Sequence, residues 1–315
     1  MTMCAFRGTR KECEVFMIIT DITKIGDPQI IRYENKYYCY ATSDTYYHRG
    51  FCVWVSEDLI NWSEAIPCFD ALSFWGKSHF WAPEVTYHNS KFVMHYTAKS
   101  KELNSLRLGV AVSDSPLGPF IDVHNKPMFD FGYAAIDGSV LISEEGNYLY
   151  YSRDCSENII NGVHTSQIYC VKLSDDLTNV IGEAKLMTTP EHDYELKSLD
   201  SNFIWNEGPF VIKYNDEYLL NYSANCYATN DYAICVATSK SPLGPWTKSI
   251  NNPVLSCNKD LFGAGHNALF YGDNNEIYTS FHIQTNPDKP SGDRKVVIGK
   301  VKFSIKNNAI YQEIE

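Results

Sequence analysis

No run of about eighteen apolar residues occurs anywhere in this 315-residue chain, which excludes a transmembrane helix. Basic clusters are missing too: 27 lysines and arginines face 38 acidic residues, a formal charge of −11. Phosphate-binding surfaces draw on such clusters, so a nucleic-acid partner is not expected, nor a membrane one; a neutral or cationic ligand fits better. The ten cysteines form no C-x-x-C pair and no Cys/His group at zinc spacing. Several lie in apolar text, such as Cys39 in YYCYA, Cys170 in IYCVKL and Cys235 in AICVA. They read as free buried thiols of a reducing compartment, which makes a cytoplasmic address the expectation. Residues 1–16 lack the unbroken apolar stretch and small-x-small site of a signal peptide, and read as a leader or appended segment outside a fold spanning 17–315.

Helical periodicity of useful length is also absent. Short runs rich in Tyr, Val, Ile and Phe instead recur between Gly, Asn, Asp and Pro clusters, which predicts an all-β protein. Five predicted hairpins are versions of one unit: DPQIIRYENKYYCYAT from Asp27, PEVTYHNSKFVMHYTA from Pro83, DGSVLISEEGNYLYYS from Asp137, EGPFVIKYNDEYLLNYSA from Glu207 and HNALFYGDNNEIYTSFH from His266. A second half-unit follows, ending in turns that open with Ser56, Ser113, Ser174 and Ser239; two of these turns share SPLGP. Five units of roughly 60 residues with four strands each describe a five-bladed β-propeller of antiparallel blades around a central channel.

Aligned on these hairpins, Asp27, Glu84, Asp137, Glu207 and His266 open the innermost strands, at intervals of 57, 53, 70 and 59 residues. Each alone reads as a turn or core residue; recurring in register, they converge on the axis. Buried carboxylates repel one another and lose solvation, a cost a fold keeps mainly for chemistry or a cation.

With GDPQII, FWAPEV, AIDGSV, WNEGPF, GAGHNALF and the SPLGP turns in order, the chain resembles the family-43 glycoside hydrolases from Ile25 to about Phe303. The resemblance implies inverting cleavage of arabinose- and xylose-containing glycans. It implies Asp27 as general base, Glu207 as general acid, and Asp137 as the carboxylate that orients the acid and raises its pKa. It further implies His266 as a contact to a calcium ion otherwise surrounded by water, and Arg294 as a sugar contact, against the reading of a surface arginine beside Asp293. Trp81, with Glu84, Phe74, Trp75 and Tyr133 nearby, is expected to meet substrate; Trp62 and Trp246 read as structural. The expected substrate is an oligosaccharide or polysaccharide bearing α-L-arabinofuranosyl groups. β-D-Xylosidase and endo-arabinanase activity are the alternatives of the same chemistry. A non-catalytic carbohydrate-binding propeller is the alternative of another class, and a protein-interaction propeller is disfavoured by the lack of a WD-like signature. The fructan-cleaving relatives' N-D-P-N-G and R-D-P sequences do not occur.

Overall fold

The structure, a computed structural model, describes residues 17–47, 50–70, 75–306 and 309–315. The expected leader at 1–16 and Phe74 lie outside the described residues.

Alternating apolar residues and two-residue turns build hairpins throughout. Glu34-Asn35 and Asn89-Ser90 each hold two consecutive positive φ angles, the turn geometry whose twist matches that of the flanking strands. Five four-stranded antiparallel blades result. Blade 1 runs from the inner part of Met17–Tyr33 through Lys36–Thr42 and Gly50–Ser56 to Ile66–Asp70. Blade 2 runs from Gly76–His88 through Lys91–Ser100 and Leu106–Ser113 to Ile121–Asp122. Blade 3 comprises Ala135–Ser143, Gly146–Arg153, Val163–Leu173 and Val180–Thr188. Blade 4 comprises Phe203–Tyr214, Glu217–Ala224, Ala233–Ser239 and Thr247–Lys248.

Blade 5 has Gly265–Tyr271, Ile277–Gln284 and Arg294–Lys306, and its outer strand comes from the other end of the chain. Met17 to Ile25 pairs with Gly299 to Arg294, and the same strand then continues inward as the innermost strand of blade 1. One strand therefore closes the ring. The five innermost strands touch in sequence, and the first also touches the fifth.

The core is a set of apolar layers between neighbouring blades. Tyr40, Phe51, Met94 and Tyr96 fill the layer between blades 1 and 2, and Tyr150, Cys170, Tyr222 and Cys235 that between blades 3 and 4. The SPLGP turns serve these layers: the buried Tyr40 hydroxyl donates to the Pro116 carbonyl at 2.6 Å, and Tyr150 donates likewise to Pro242. Buried phenols need such partners. Trp62 and Trp246 are structural as expected, donating to the Leu59 carbonyl at 3.0 Å and to the Met187 sulfur at 3.2 Å. The eight described cysteines are free; six are buried, Cys226 is half-buried and Cys257 exposed.

Candidate active site

Every innermost strand breaks register at the same place, between residues 26/29, 81/84, 136/139, 207/210 and 265/268. The first residue inside each break has a positive φ: Asp27 +54°, Ala82 +43°, Asp137 +58°, Gly208 +56° and His266 +50°. Such bulges re-aim side chains, and a non-glycine residue there carries backbone strain that the surroundings must hold. The structurally equivalent set is thus Asp27, Ala82, Asp137, Gly208 and His266. This corrects the expected alignment: Glu207 stands one residue before its bulge position and Glu84 two beyond, because spacing alone does not reveal where a strand gains a residue.

The strained N–H of each bulge is held by a side chain from the second strand of the preceding blade. Ala82 donates to Thr42 Oγ1 at 2.8 Å, Asp137 to Thr97 Oγ1 at 3.1 Å, Gly208 to Ser152 Oγ at 3.2 Å and His266 to Ser223 Oγ at 2.7 Å. At the ring closure His282 replaces the hydroxyl, its Nδ1 accepting the Asp27 N–H at 3.2 Å. That bond assigns the His282 proton to Nε2. Burial, reinforced by Arg294, pushes the His282 pKa well below its usual value, so the ring is neutral.

Two of these hydroxyls also orient carboxylates. Thr42 donates to Asp27 Oδ2 at 2.6 Å, and Ser152 to Asp137 Oδ2 at 3.1 Å. Asp137 Oδ2 also accepts the Gly208 N–H at 3.1 Å, tying it to the backbone beside Glu207.

The three carboxyls have different proton affinities. Burial raises that of Asp27, but Arg294, His266 and the Thr42 hydroxyl outweigh it and hold the group well below the carboxylate range. Arg294 Nη1 and His266 Nδ1 lie 2.9 and 3.3 Å from Asp27 Oδ1. Burial pushes Glu207 well above its ordinary value, and the neighbouring Asp137 pushes it further. Asp137 itself is raised to about 6, by burial and then by Asp27, against the opposing pull of His266. An ionised carboxylate and a protonated one thus share one site, the arrangement that acid–base chemistry needs.

Asp27, Asp137, Glu207, His266, Arg294 and Trp81 all line one cleft of about 1030 Å³. Arg294 is buried against Asp27 and lies 4.9 Å over the Tyr227 ring, so the surface-arginine reading is overturned. Glu84 is corrected as a substrate contact: it faces a separate chamber of about 10 Å³ below the carboxylates, where its Oε1 accepts the Val140 N–H at 2.9 Å. Tyr133 does not reach the cleft either; its hydroxyl pairs with Tyr151 at 2.6 Å, and Arg153 covers its ring at 4.5 Å. Trp75 is buried, stacked on Tyr96 with its indole N–H on Asp122. Both rings are taken up by blade packing.

For calcium, the small chamber offers the His266 ring beside Glu84, and no group of three His, Cys, Asp or Glu side chains placed to hold a metal occurs among the described residues. Calcium takes six to eight oxygens. His266 lines the large cleft as well as this chamber, and only the cleft has room for the waters that would complete a shell around one chain nitrogen; no step below is routed through a metal.

Thr42, Ser152, His282, Tyr232, Tyr227, Phe203 and Trp205 are site residues that sequence reasoning missed. A signal existed for the first two and for His282: the hairpins end in CYAT, HYTA, YYS, NYSA and TSFH, one equivalent polar position in each unit.

Residues 22–307 match the family model Glycosyl hydrolases family 43. A β-D-galactofuranosidase of Aspergillus niger is 25% identical over 89% of this chain and 79% of its own. An arabinoxylan arabinofuranohydrolase of Paenibacillus polymyxa is 26% identical over 83% of this chain and 45% of its own. Among solved structures, a thermostable family-43 glycoside hydrolase superposes with a TM-score of 0.87 at 42% identity, covering 94% of each chain.

Proposed function

The chain belongs to glycosyl hydrolases family 43 and is a glycoside hydrolase; from that premise we propose that it releases α-L-arabinofuranosyl groups from arabinose-containing glycans with inversion. The observation that carries the assignment of roles is the split in proton affinity, Asp27 held ionised and Glu207 held protonated within one cleft. Asp27 takes a proton from water as the water oxygen bonds to the anomeric carbon. Glu207 gives its proton to the glycosidic oxygen as the C–O bond breaks. The sugar leaves with inverted configuration, Asp27 is left protonated and Glu207 ionised, and exchange with solvent resets both.

Asp137 keeps Glu207 protonated by charge and fixes its backbone through the Gly208 N–H. A carboxylate held as low as Asp27 is a weak base. A sugar hydroxyl that draws the Arg294 fork away would strengthen it at the moment of reaction, which gives Arg294 a role in both binding and timing. Calcium enters the proposal only as a binding event at His266, read by calorimetric titration of chelator-treated protein with His266→Ala as control.

The choice of arabinose draws on the Paenibacillus relative, with β-D-xylosyl and β-D-galactofuranosyl linkages as the nearest alternatives of the same chemistry. The test is the initial rate of wild type and Asp27→Ala on aryl α-L-arabinofuranoside, β-D-xyloside and β-D-galactofuranoside, and on linear arabinan. Cleavage of the arabinofuranoside that falls by a thousandfold or more in the variant, roughly the size expected for loss of an essential group, supports the reading. Preference for another sugar replaces it, and no cleavage of any member returns weight to a carbohydrate-binding propeller.

A further inference from the structure

The strand that delivers Glu207 begins four residues earlier, at Phe203. Along a strand, side chains at every second position share a face and stand roughly 6.6 to 6.8 Å apart. Phe203, Trp205 and Glu207 are such a series, and all three line the cleft, whereas Ile204 and Asn206 between them are buried. The register break in this strand comes only after Glu207, so nothing interrupts the series.

The two rings form one surface. Phe203 and Trp205 are nearly parallel, 17° apart with centroids separated by 5.8 Å. Behind them the strand is fixed by parallel pairing of Phe203 to Trp205 with His164 to Ser166 of blade 3. His164 stacks on Phe203 at 4.4 Å and 18°, and its own Nδ1 is bonded to the Cys155 carbonyl at 2.9 Å. Both rings are partly exposed, and they stack in a row from His164 through Phe203 to Trp205 on a strand already paired with its neighbour.

We propose that Trp205 and Phe203 form a platform for the two sugar residues on the leaving side of the scissile bond, Trp205 beneath the first and Phe203 beneath the second. The direction follows from chemistry. Glu207 protonates the leaving oxygen, so the leaving sugar lies against Glu207, and the strand carries the rings from that point outward. Sugar C–H faces and aromatic rings make large apolar contacts, and rings already held in place lose little entropy on binding. The platform rests on the reading of Glu207 as general acid. It makes the substrate class a glycan with at least two residues beyond the bond cleaved, rather than a short glycoside.

The test is kcat/KM on α-1,5-L-arabino-oligosaccharides and β-1,4-D-xylo-oligosaccharides of two, three and four residues. Wild type should gain from the disaccharide to the trisaccharide in whichever series it cleaves. Phe203→Ala should collapse that gain, lowering the trisaccharide-to-disaccharide ratio by about three- to tenfold, the size of one ring contact. Trp205→Ala should lower kcat/KM on both lengths by about the same factor. Phe203→Tyr and Trp205→Phe, which keep a ring, should retain most of what the alanine variants lose and so separate stacking from misfolding. A ratio that Phe203→Ala leaves unchanged, or a wild type with no gain at three residues, overturns the platform. If wild type cleaves neither series, the hydrolytic reading for these sugars fails on its own. The platform is then judged by calorimetric Kd for arabinotriose and xylotriose: weakening by the same factor in Phe203→Ala upholds it, and an unchanged Kd or no binding of either triose overturns it.

Discussion

Glu207 is buried and Asp27 half-buried, and it is their neighbours that separate them. Asp27 has Arg294 and His266 beside it; the charges of Asp137, Asp154 and Asp27 raise the proton affinity of Glu207 on top of its burial. The one group opposing its protonation most strongly is the phenol of Tyr232. That ring is fully buried and stacked on His282 at 5.5 Å and 7°, and its approach leaves no room for a Cβ at Gly265, which would lie 2.1 Å from ring carbons. The Tyr232 hydroxyl is buried and makes no hydrogen bond in the structure; the phenol favours the Glu207 anion, the form left after the leaving group is protonated. Tyr232→Phe removes that hydroxyl. The Glu207 pKa should rise, and the alkaline limb of kcat/KM should move to higher pH. The acid limb should stay where it is. A pH profile with both limbs unmoved would show Tyr232 to be packing only. Asp27, Asp137 and Glu207 were legible because each opens a repeat unit. Tyr232 was not, because it stands in the loop text TNDYA, where nothing distinguishes a site phenol from a core one.

At the scale of the strand, the repeated bulge decides which side chains reach the cleft. Glu84 and Glu207 look equivalent in the sequence, each near the start of an inner strand, yet the bulge puts one in the chamber below and the other in the cleft. Sequence spacing carries strand length but not the position of an extra residue. The same element explains Gly26. Its position corresponds to Trp81, Ile136, Glu207 and Gly265, and a Cβ there would lie 1.9 Å from Arg294 Nη2. The glycine makes room for the guanidinium on Asp27. In Gly26→Ala the guanidinium must move off Asp27, so the fold should survive with Tm lowered by roughly several °C, the cost of parting a buried charged hydrogen bond. Arg294 would leave Asp27, whose carboxyl then protonates more readily. The acid limb of kcat/KM should shift to higher pH, and kcat/KM should fall by about tenfold or more, as for loss of a hydrogen-bonded charge contact. A pH profile and a thermal melt check both statements. A wild-type acid limb would mean that Arg294 does not set the state of Asp27.

The whole ring was legible as five units of similar text, but not how it closes, because residues 17–25 share nothing with the other outer strands and pair across the full length of the chain. Nor did the sequence separate Trp81, in the cleft, from Trp75 and Tyr133, which pack within blades, since exposure depends on neighbouring blades rather than local pattern. Arranging blades around an axis also has a cost, because polar inner-strand residues that do no chemistry lose solvent there, half-buried Glu84 among them. Glu84 shows it: burial raises its pKa from 4.5 to about 8, only partly offset by the Val140 N–H. Between those values the folded protein binds a proton that the unfolded chain has released. The favourable contribution of neutral Glu84 is complete below about pH 4.5 and lost as pH rises through about 8, so this residue makes stability fall with pH over that window. Glu84→Gln keeps an oxygen to accept the Val140 N–H and removes the titration. Relative to wild type the variant should show little change in Tm at pH 4.5 and a growing gain towards pH 8. The gain should reach a few kcal/mol, because each tenfold change in proton affinity is worth about 1.4 kcal/mol, and should appear as several °C in Tm. Melting curves of both proteins from pH 4.5 to 8.5 decide it. Parallel Tm profiles would mean that Glu84 titrates alike in the folded and unfolded chain and that burial does not set its proton affinity.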